Sequence, residues 1–248
     1  MKKAAALFLI FGFWAISAHA AEDALFREAN EKYQAGDYAA SASLYQKSLT
    51  AAHPSGETYY NLGNADFRAG HKGRALLDYE RARALDPRDG DIDWNENVLK
   101  NALPDRIEEA EDNVFFSSVR RLLGWVTIDE TAALSVFLLG VLFFISALNF
   151  VFHRSKSLTA GLGGFFVFLW LASALVFYLK WLTVKDPYLV VLDKEVTARY
   201  GPSDKETKAF VLHEGASAKV LDQTDGWYYI FLQDKNTGWV SKKSCAII

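Results

Sequence analysis

The sequence predicts a multi-domain chain: an all-α helical repeat domain, then an α-helical transmembrane hairpin, then a small all-β barrel. Three observations predict this order. A residue pattern recurs after 34 positions in the first part, and two uncharged runs of bilayer length stand in the middle. Short alternating runs separated by turns fill the last part. The 248 residues suffice for two small domains and their connections.

Charge is spread unevenly along the chain. Residues 21–113 carry 19 acidic and 11 basic residues, a net charge of −8, whereas residues 187–248 carry eight of each sign. No polybasic segment is present, so we do not expect a nucleic-acid partner. The single cysteine, Cys245, excludes an intramolecular disulfide and a cysteine-rich zinc site.

Residues 1–20 are predicted to be a signal peptide. Two lysines follow Met1, an uncharged apolar run extends from Ala4 to Ala18, and the segment ends in the cleavage pattern Ala18-His19-Ala20. An uncleaved membrane anchor is the alternative, because the apolar run is long and aromatic.

Residues 21–104 are predicted to form two helical repeats and a closing helix between Asp91 and Leu103. In the second repeat, small residues stand where helices touch and large ones fill the space between them; the pattern is Tyr59, Tyr60, Asn61, Leu62, Gly63, Asn64, Ala65, Phe67, Gly70, Ala75, Tyr79 and Ala82 before Asp86-Pro87. A weaker copy lies 34 residues earlier, as Leu25, Ala29, Tyr33, Gly36, Tyr45 and Leu49 before Pro54. This closely resembles the tetratricopeptide repeat, with one departure at Asp66, where that family usually has an aromatic residue.

The resemblance implies that the first helix of each repeat lines a concave groove. The partner-binding residues it assigns are Phe26, Asn30, Tyr33 and Gln34 in the first repeat and Tyr60, Asn64, Phe67 and Arg68 in the second. The alternative is a merely solvated face. The acidic balance of this region favours a basic or polar partner. The acidic cluster from Asp86 to Asp93 lacks the glycine and glutamate of a calcium loop, so we interpret it as helix capping.

Two spans are predicted at 132–152 and 158–179, after a membrane-proximal linker at 105–131. Neither contains a charged residue, and the loop 153–157 between them is basic, as cytoplasmic loops are. An exported N-terminus followed by two crossings places both soluble regions on the same extracytoplasmic side. Small residues such as Ala160 and Gly164 are expected to let the two helices approach closely. The stretch from Val114 to Trp125 either lies along the bilayer surface or continues the first span.

Residues 187–248 contain six strand-like runs with turn residues between them, which predicts a small barrel. The order of Val196 to Ser203, Leu212 to Gly215, Trp227 and Gly238 to Val240 resembles a bacterial Src-homology-3-like (SH3-like) domain. Trp227 and Trp239 are expected mainly in the core. Tyr200 and Tyr228 are the candidates for a ligand-binding face, and bacterial relatives of such domains bind cell-wall peptides or protein segments.

The sequence contains no catalytic constellation, so we predict neither an enzyme nor a cofactor site. The order of signal peptide, repeats, hairpin and SH3-like tail, with Asp91 to Leu99 after the second repeat, resembles the BatE proteins of the bacterial Bat aerotolerance group. That resemblance implies an adaptor in the inner membrane with periplasmic domains. It also implies partners with von Willebrand A domains and a MoxR-type ATPase, linked to envelope or oxidative stress tolerance. The main hypothesis is a protein-protein interaction scaffold; the alternative is a cell-wall sensor whose barrel binds peptidoglycan.

Overall fold

The computed structural model describes residues 24–51, 54–105, 118–119, 122–152, 156–185 and 187–248. The predicted signal peptide at residues 1–20 lies outside the described residues. In the segment from Val114 to Trp125, residues 114–117, 120 and 121 lie outside them as well. The chain forms two compact units. One joins the part up to Ala110 with Pro187–Ile248, and the other is Glu111–Asp186.

Five helices form the described part of the chain from residue 24 to residue 105. They are α1 at 24–34, α2 at Tyr38–Ala51, α3 at Gly56–Ala69, α4 at Lys72–Leu85 and α5 at Gly90–Asn101. The turns inside the two pairs use glycine, because Gly36 and Gly70 have φ of 79° and 89°, the left-handed region that other residues avoid. Ser55 caps α3 by accepting a hydrogen bond from the backbone N–H of Thr58 (3.1 Å).

The helices pack as two pairs and a closing helix, as the repeat pattern predicts. Gly63 lets α3 meet α4, since a Cβ there would stand 2.8 Å from the ring of Tyr79. Tyr45 and Tyr79, 34 positions apart, are each only 1% exposed and fill the centre of their own pair. From α5, Ile92 and Leu99 are buried. The apolar residues at repeat spacing therefore form the core that stabilises these helices.

The second unit contains two long apolar helices, α6 at Ile128–Phe152 and α7 at Lys156–Lys185. By length and composition, their segments Ile128–Phe150 and Gly161–Leu182 could cross a membrane. The hydroxyls of Ser135 and Ser173 hydrogen-bond across the pair at 2.6 Å.

The small residue Gly164 does not bring the two apolar helices together, contrary to the sequence prediction. A Cβ at this position would meet nothing within 4 Å. The contact instead runs through Thr131, Leu138 and Ser173, which are buried. The cross-helix hydrogen bond is the one between the Ser135 and Ser173 hydroxyls, whereas the Thr131 hydroxyl donates to the Ile128 carbonyl of its own helix. Close approach at Gly164 is therefore not what joins the helices.

The C-terminal part, Pro187–Ile248, is an antiparallel sheet of seven strands, which we call the sheet domain. The strands are β1 Tyr188–Val191, β2 Glu195–Arg199, β3 Lys208–His213, β4 Ser217–Thr224, β5 Trp227–Phe231, β6 Thr237–Ser241 and β7 Cys245–Ile247, in the spatial order β3-β2-β6-β5-β4-β1-β7. Six correspond to the predicted runs. The seventh follows a short 3-10 helix and pairs with β1, which brings the end of the chain beside its first strand.

The helices and the sheet domain share a core. Val190 of β1 is fully buried in a cluster with residues of α4 and α5, and Leu103 joins the same cluster. The approach is close at two glycines. A Cβ on Gly73 would stand 2.4 Å from the backbone oxygen of Val191, and a Cβ on Gly215 would stand 2.4 Å from a methyl of Leu103. Neither position has room for a side chain without a shift of its neighbours.

Hydrogen bonds join the helical part and the sheet domain at the edge of this shared core. The backbone N–H of Gly73 donates to the Glu214 carboxylate (2.9 Å), and the Arg81 guanidinium donates to the backbone oxygen of Ile247 (3.0 Å). The Asp105 carboxylate binds both the backbone N–H and the Nδ1 of His213, each at 2.8 Å. The two soluble parts are thus one body, and the segment with the two apolar helices is inserted between them in sequence.

Candidate functional site

The inner helix of each repeat carries an asparagine that is held by a tyrosine of its outer helix. The Tyr79 hydroxyl donates to Oδ1 of Asn64 at 2.7 Å, and the Tyr45 hydroxyl donates to Oδ1 of Asn30. Burial raises the pKa of both tyrosines, that of Tyr45 to about 12, so both hydroxyls keep their protons to donate. Each amide is therefore fixed with its oxygen toward the outer helix.

A cavity of about 200 Å³ opens beside Asn64. It is lined by Tyr33, Asn64, Phe67, Arg68, Tyr79, Asn95 and Val98. The structure thus brings together four of the eight predicted groove residues, which come from α1 and α3. Two further lining residues, Asn95 and Val98, come from α5, and the sequence analysis missed them.

Asn95 links α5 to the inner helix of the second repeat. Its Nδ2 donates to the Tyr60 hydroxyl and to Oδ1 of Asn64, both at 2.9 Å. Because both hydrogen bonds to Asn64 use the amide oxygen, the Nδ2 group of Asn64 remains a donor at the cavity. Counting 34 positions on from the predicted groove residue Asn64 reaches Val98, so continuing the repeat count into α5 would have found Val98. Asn95 corresponds to Asn61, which is not a predicted groove residue, so the repeat count does not identify it.

Arg68 provides the positive charge of this cavity. Its guanidinium donates to the Tyr38 hydroxyl at 2.9 Å and lies over the same ring, 5.1 Å from the centroid. The hydrogen bond with Tyr38 is the main reason that the pKa of Arg68 is raised. Arg68 is exposed, so its charge is available to a ligand and is screened by salt.

The other predicted groove residues lie outside the cavity lining. Phe26 meets Tyr45 edge to face, with ring centroids 5.6 Å apart, and Asn30 is held by Tyr45 as described. Tyr60 is half-buried, with its ring 6.0 Å from that of Tyr79. Gln34 is exposed. These four residues extend the inner face on either side of the cavity and would meet only a ligand longer than the cavity itself.

A network of buried charges holds α5 against α4. Glu96 is 2% exposed, and the Arg83 side chain lies 3.3 Å from it. Lys100 pairs with both Glu96 and Glu80, and Arg83 also pairs with Glu80. Burial raises the pKa of Glu96; for Glu80, burial acts in the same direction, but Arg83 and Lys100 outweigh it and lower the pKa. This network fixes the helix that carries Asn95 and Val98.

A second cavity, of about 520 Å³, lies between the outer helices α2 and α4. Asp66 and Asp78 line it and are 5% and 4% exposed. Asp66 is hydrogen-bonded to Nδ1 of His71 at 3.0 Å, whereas Asp78 has Arg81 at 3.8 Å. Burial and then the charge of Asp66 raise the pKa of Asp78 to about 8. Asp78 is therefore largely protonated at neutral pH.

The predicted ligand face of the sheet domain divides into an exposed and a half-buried residue. Tyr200 is 70% exposed, whereas Tyr228 packs against the sheet core with Lys242 lying 4.8 Å from its ring centroid. The expectation that Trp227 and Trp239 are core residues is wrong. Side chains alternate along a strand, and the core positions are taken by Ile230 and Val240, so both tryptophans point to the other face and are half-buried.

The groups around the smaller cavity are of a kind that binds a ligand. Within the described ranges, no three His, Cys, Asp or Glu side chains are placed to hold a metal ion. Burial raises the pKa of the Cys245 thiol to about 12, which keeps it protonated and a poor nucleophile. Amide donors, aromatic faces and one arginine around a small cavity are groups that recognise a polypeptide segment.

An array of paired helices with an inner face of this kind defines a helical-repeat binding protein. Residues 56–89, which span α3, α4 and the turn after them, match the family model of the tetratricopeptide repeat. No curated protein matches the chain. A tetratricopeptide repeat indicates a role in protein–protein interaction, and the matched segment holds four of the predicted groove residues, from Tyr60 to Arg68.

Proposed function

We propose that the protein is a membrane-anchored adaptor whose helical groove binds a segment of a partner protein. The observation that carries the proposal is the pair of held asparagines. Asn64 is oriented by Tyr79 and Asn95, and its free donor stands in a cavity beside Arg68. An amide fixed in this way can bind a backbone carbonyl of an extended segment without first losing side-chain freedom.

The shared core supports one location for both soluble parts. The repeats and the sheet domain meet around Val190, so they occupy the same compartment. Two spanning helices return the chain to the side from which it entered the membrane. With the signal peptide predicted at residues 1–20, this supports an extracytoplasmic position, which in a bacterium of the resembled family is the periplasmic side of the inner membrane.

The wider setting that we propose follows from the resemblance to the BatE proteins. In that setting the adaptor works with membrane proteins that carry von Willebrand A domains and with a MoxR-type ATPase, in envelope or oxidative stress tolerance. The adaptor itself performs no catalysis. Its sheet domain, for which we propose an SH3-like fold, completes the core of the helical part.

Photocrosslinking in living cells tests the groove. A photoreactive residue at Gln34, which is exposed beside the groove, is expected to capture one membrane protein with a large exported domain. The same residue at Lys47 on the outer helix α2, also exposed, is the matched control and is expected to capture none of it. Arg68→Ala should abolish the adduct. Equal capture from Lys47, or capture that survives Arg68→Ala, would contradict the groove as the binding site.

A cell-wall sensor is the second candidate, favoured by one observation. Tyr200 is 70% exposed on the sheet domain, and its ring offers an apolar face and a hydroxyl to a ligand. Purified sacculi incubated with the full-length protein in detergent should then retain it, and Tyr200→Ala should reduce retention. Because the sheet domain shares its core with α4, the complete chain is the right reagent. Absence of retention leaves the adaptor as the function.

A further inference from the structure

The repeat count continues into α5. Thirty-four positions separate Phe26 from Tyr60 and also Tyr60 from Trp94, and the same step leads from Asn64 to Val98. Helix α5 therefore has the register of the first helix of a third repeat. Val98 confirms this placement, because it lines the 200 Å³ cavity together with Asn64. Trp94, one helical turn before Val98, lies in the row of Phe26 and Tyr60.

Trp94 differs from its two equivalents in what covers it. The ring of Phe26 packs against Tyr45 and that of Tyr60 against Tyr79, each a residue of the outer helix in the same repeat. No outer helix follows α5 within the described residues. Trp94 is consequently 70% exposed, although exposing an indole ring to water costs more free energy than exposing most other side chains.

Two exposed carboxylates stand near Trp94 on α5. Asp91 stands one turn before it on the same face of α5 and is exposed, and Asp93 is exposed beside it. Other rings of this chain already carry cations: Arg68 lies 5.1 Å from the centroid of Tyr38, and Arg81 lies 5.8 Å from that of Tyr59. Trp94 has the best ring for such a contact and an acidic neighbour to support it.

We propose that Trp94 and Asp91 form a further subsite of the groove, which binds a lysine or arginine side chain of the partner segment. The cation lies over the indole face, its aliphatic stem runs along Val98, and the Asp91 carboxylate balances its charge. This inference rests on the proposed groove function and adds the chemistry of the partner at one position. Charge complementarity supports it, since residues 21–113 carry a net charge of −8.

The test uses the full-length protein in detergent micelles and a phage-displayed library of random peptides as the probe. Selection on the native protein is expected to enrich peptides that share a lysine or arginine at one fixed position. The best enriched peptide is then synthesised with its basic residue intact and with that residue replaced by norleucine, and both are titrated by fluorescence anisotropy.

The variants test whether binding needs the aromatic ring of Trp94 or only an apolar side chain at that position. Trp94→Leu should weaken binding of the basic peptide by about tenfold, whereas Trp94→Phe should retain most of the affinity. The norleucine peptide should bind native protein and Trp94→Leu equally, because the contact is already lost. Asp91→Asn should weaken binding less and should reduce its dependence on salt. Leu221→Ala, which removes an apolar side chain that is 49% exposed on the sheet domain, is the control and should change nothing.

The outcomes distinguish this subsite from the groove as a whole. Suppose that the enriched peptides lose affinity with Arg68→Ala. If they then share no fixed basic residue, or if Trp94→Leu leaves their affinity unchanged, the subsite is overturned and the groove function stands. If the affinity of the enriched peptides is unchanged by Arg68→Ala and by Phe67→Ala, or if no peptide is enriched, both the subsite and the groove function are overturned. The proposal is supported if Trp94→Leu no longer prefers the basic peptide over the norleucine peptide while the control variant still does. The circular dichroism spectrum of Trp94→Leu should then resemble that of the native protein.

Discussion

The two repeats contain the same tyrosine–asparagine pair, yet only the second one borders the cavity in the groove. Among the described residues, the first pair, Tyr45 and Asn30, is flanked by an inner helix on one side only. The second pair, Tyr79 and Asn64, has Tyr33 of α1 on one side and Asn95 of α5 on the other. A binding cavity in such an array is therefore a property of stacked neighbours, and a single repeat does not provide it.

The second repeat also depends on the sheet domain, and Gly73→Ala breaks this support. The new Cβ would stand 2.4 Å from the backbone oxygen of Val191, so α4 and β1 must separate. We expect a loss of about 3 kcal/mol in the free energy of unfolding, at the upper end for overpacking. Gly90→Ala, in the first turn of α5 with open space around it, is the matched control and should be near neutral.

Thermal unfolding followed by circular dichroism measures this loss, and hydrogen exchange locates it. Amides of α4 should lose more protection than those of α1 and α2, because α4 packs directly against β1 in the shared core. Equal loss in both repeats, or a melting temperature unchanged by Gly73→Ala, would contradict the shared core.

A buried carboxylate distinguishes the second repeat from the first. Asp78 occupies the position that Leu44 has 34 residues earlier. Its pKa is raised from 3.8 to about 8, mainly by burial, so between these values the folded chain holds a proton that the unfolded chain has released. The free energy of unfolding therefore falls as the pH rises through this window.

Asp78→Asn removes the pH-dependent cost of this carboxylate. The variant should melt at a temperature similar to that of the native protein at pH 5 and at a higher one at pH 8. Asp86→Asn, at an exposed carboxylate, should shift neither value. The same increase for Asp78→Asn at both pH values would show that the carboxylate stays ionised in the fold.

The two tyrosines offer the finest comparison between the repeats. Tyr45→Phe and Tyr79→Phe each remove one hydroxyl that donates to an asparagine, and each should cost about 1 kcal/mol of stability. Only Tyr79→Phe should also weaken the peptide selected on the groove, because only Tyr79 lines the cavity. Equal effects of the two changes on peptide affinity would place the binding site along the whole inner face.

The elements of the fold were predictable where a pattern repeats along the chain. The 34-residue spacing predicts the helices, including Gly70 at the turn, and the uncharged runs predict the two apolar helices. Alternation predicts six strands, but the misassignment of Trp227 and Trp239 shows its limit. Alternate residues of a strand face opposite sides, and the pairing with neighbouring strands decides which set faces the core. Here that set contains Ile230 and Val240, which only the structure shows.

The candidate site was predictable in part for the same reason. Tyr33, Asn64, Phe67 and Arg68 follow from the repeat pattern, whereas Asn95 joins them through a hydrogen bond to a residue 31 positions away. The contact of Gly73 with Glu214 joins residues 141 positions apart. No local pattern records such contacts, because they depend on how whole elements pack.

The order of synthesis gives the shared core a further consequence. Helix α4 leaves the ribosome well before β1, and both apolar helices are made in between. Its face toward Val190 therefore stays uncovered until the two apolar helices and then β1 have been made. A chain that stops within the hairpin would display this apolar face, which marks an unfinished molecule for chaperones and proteases. The core around α4 is thus completed by a strand that is made about a hundred residues later.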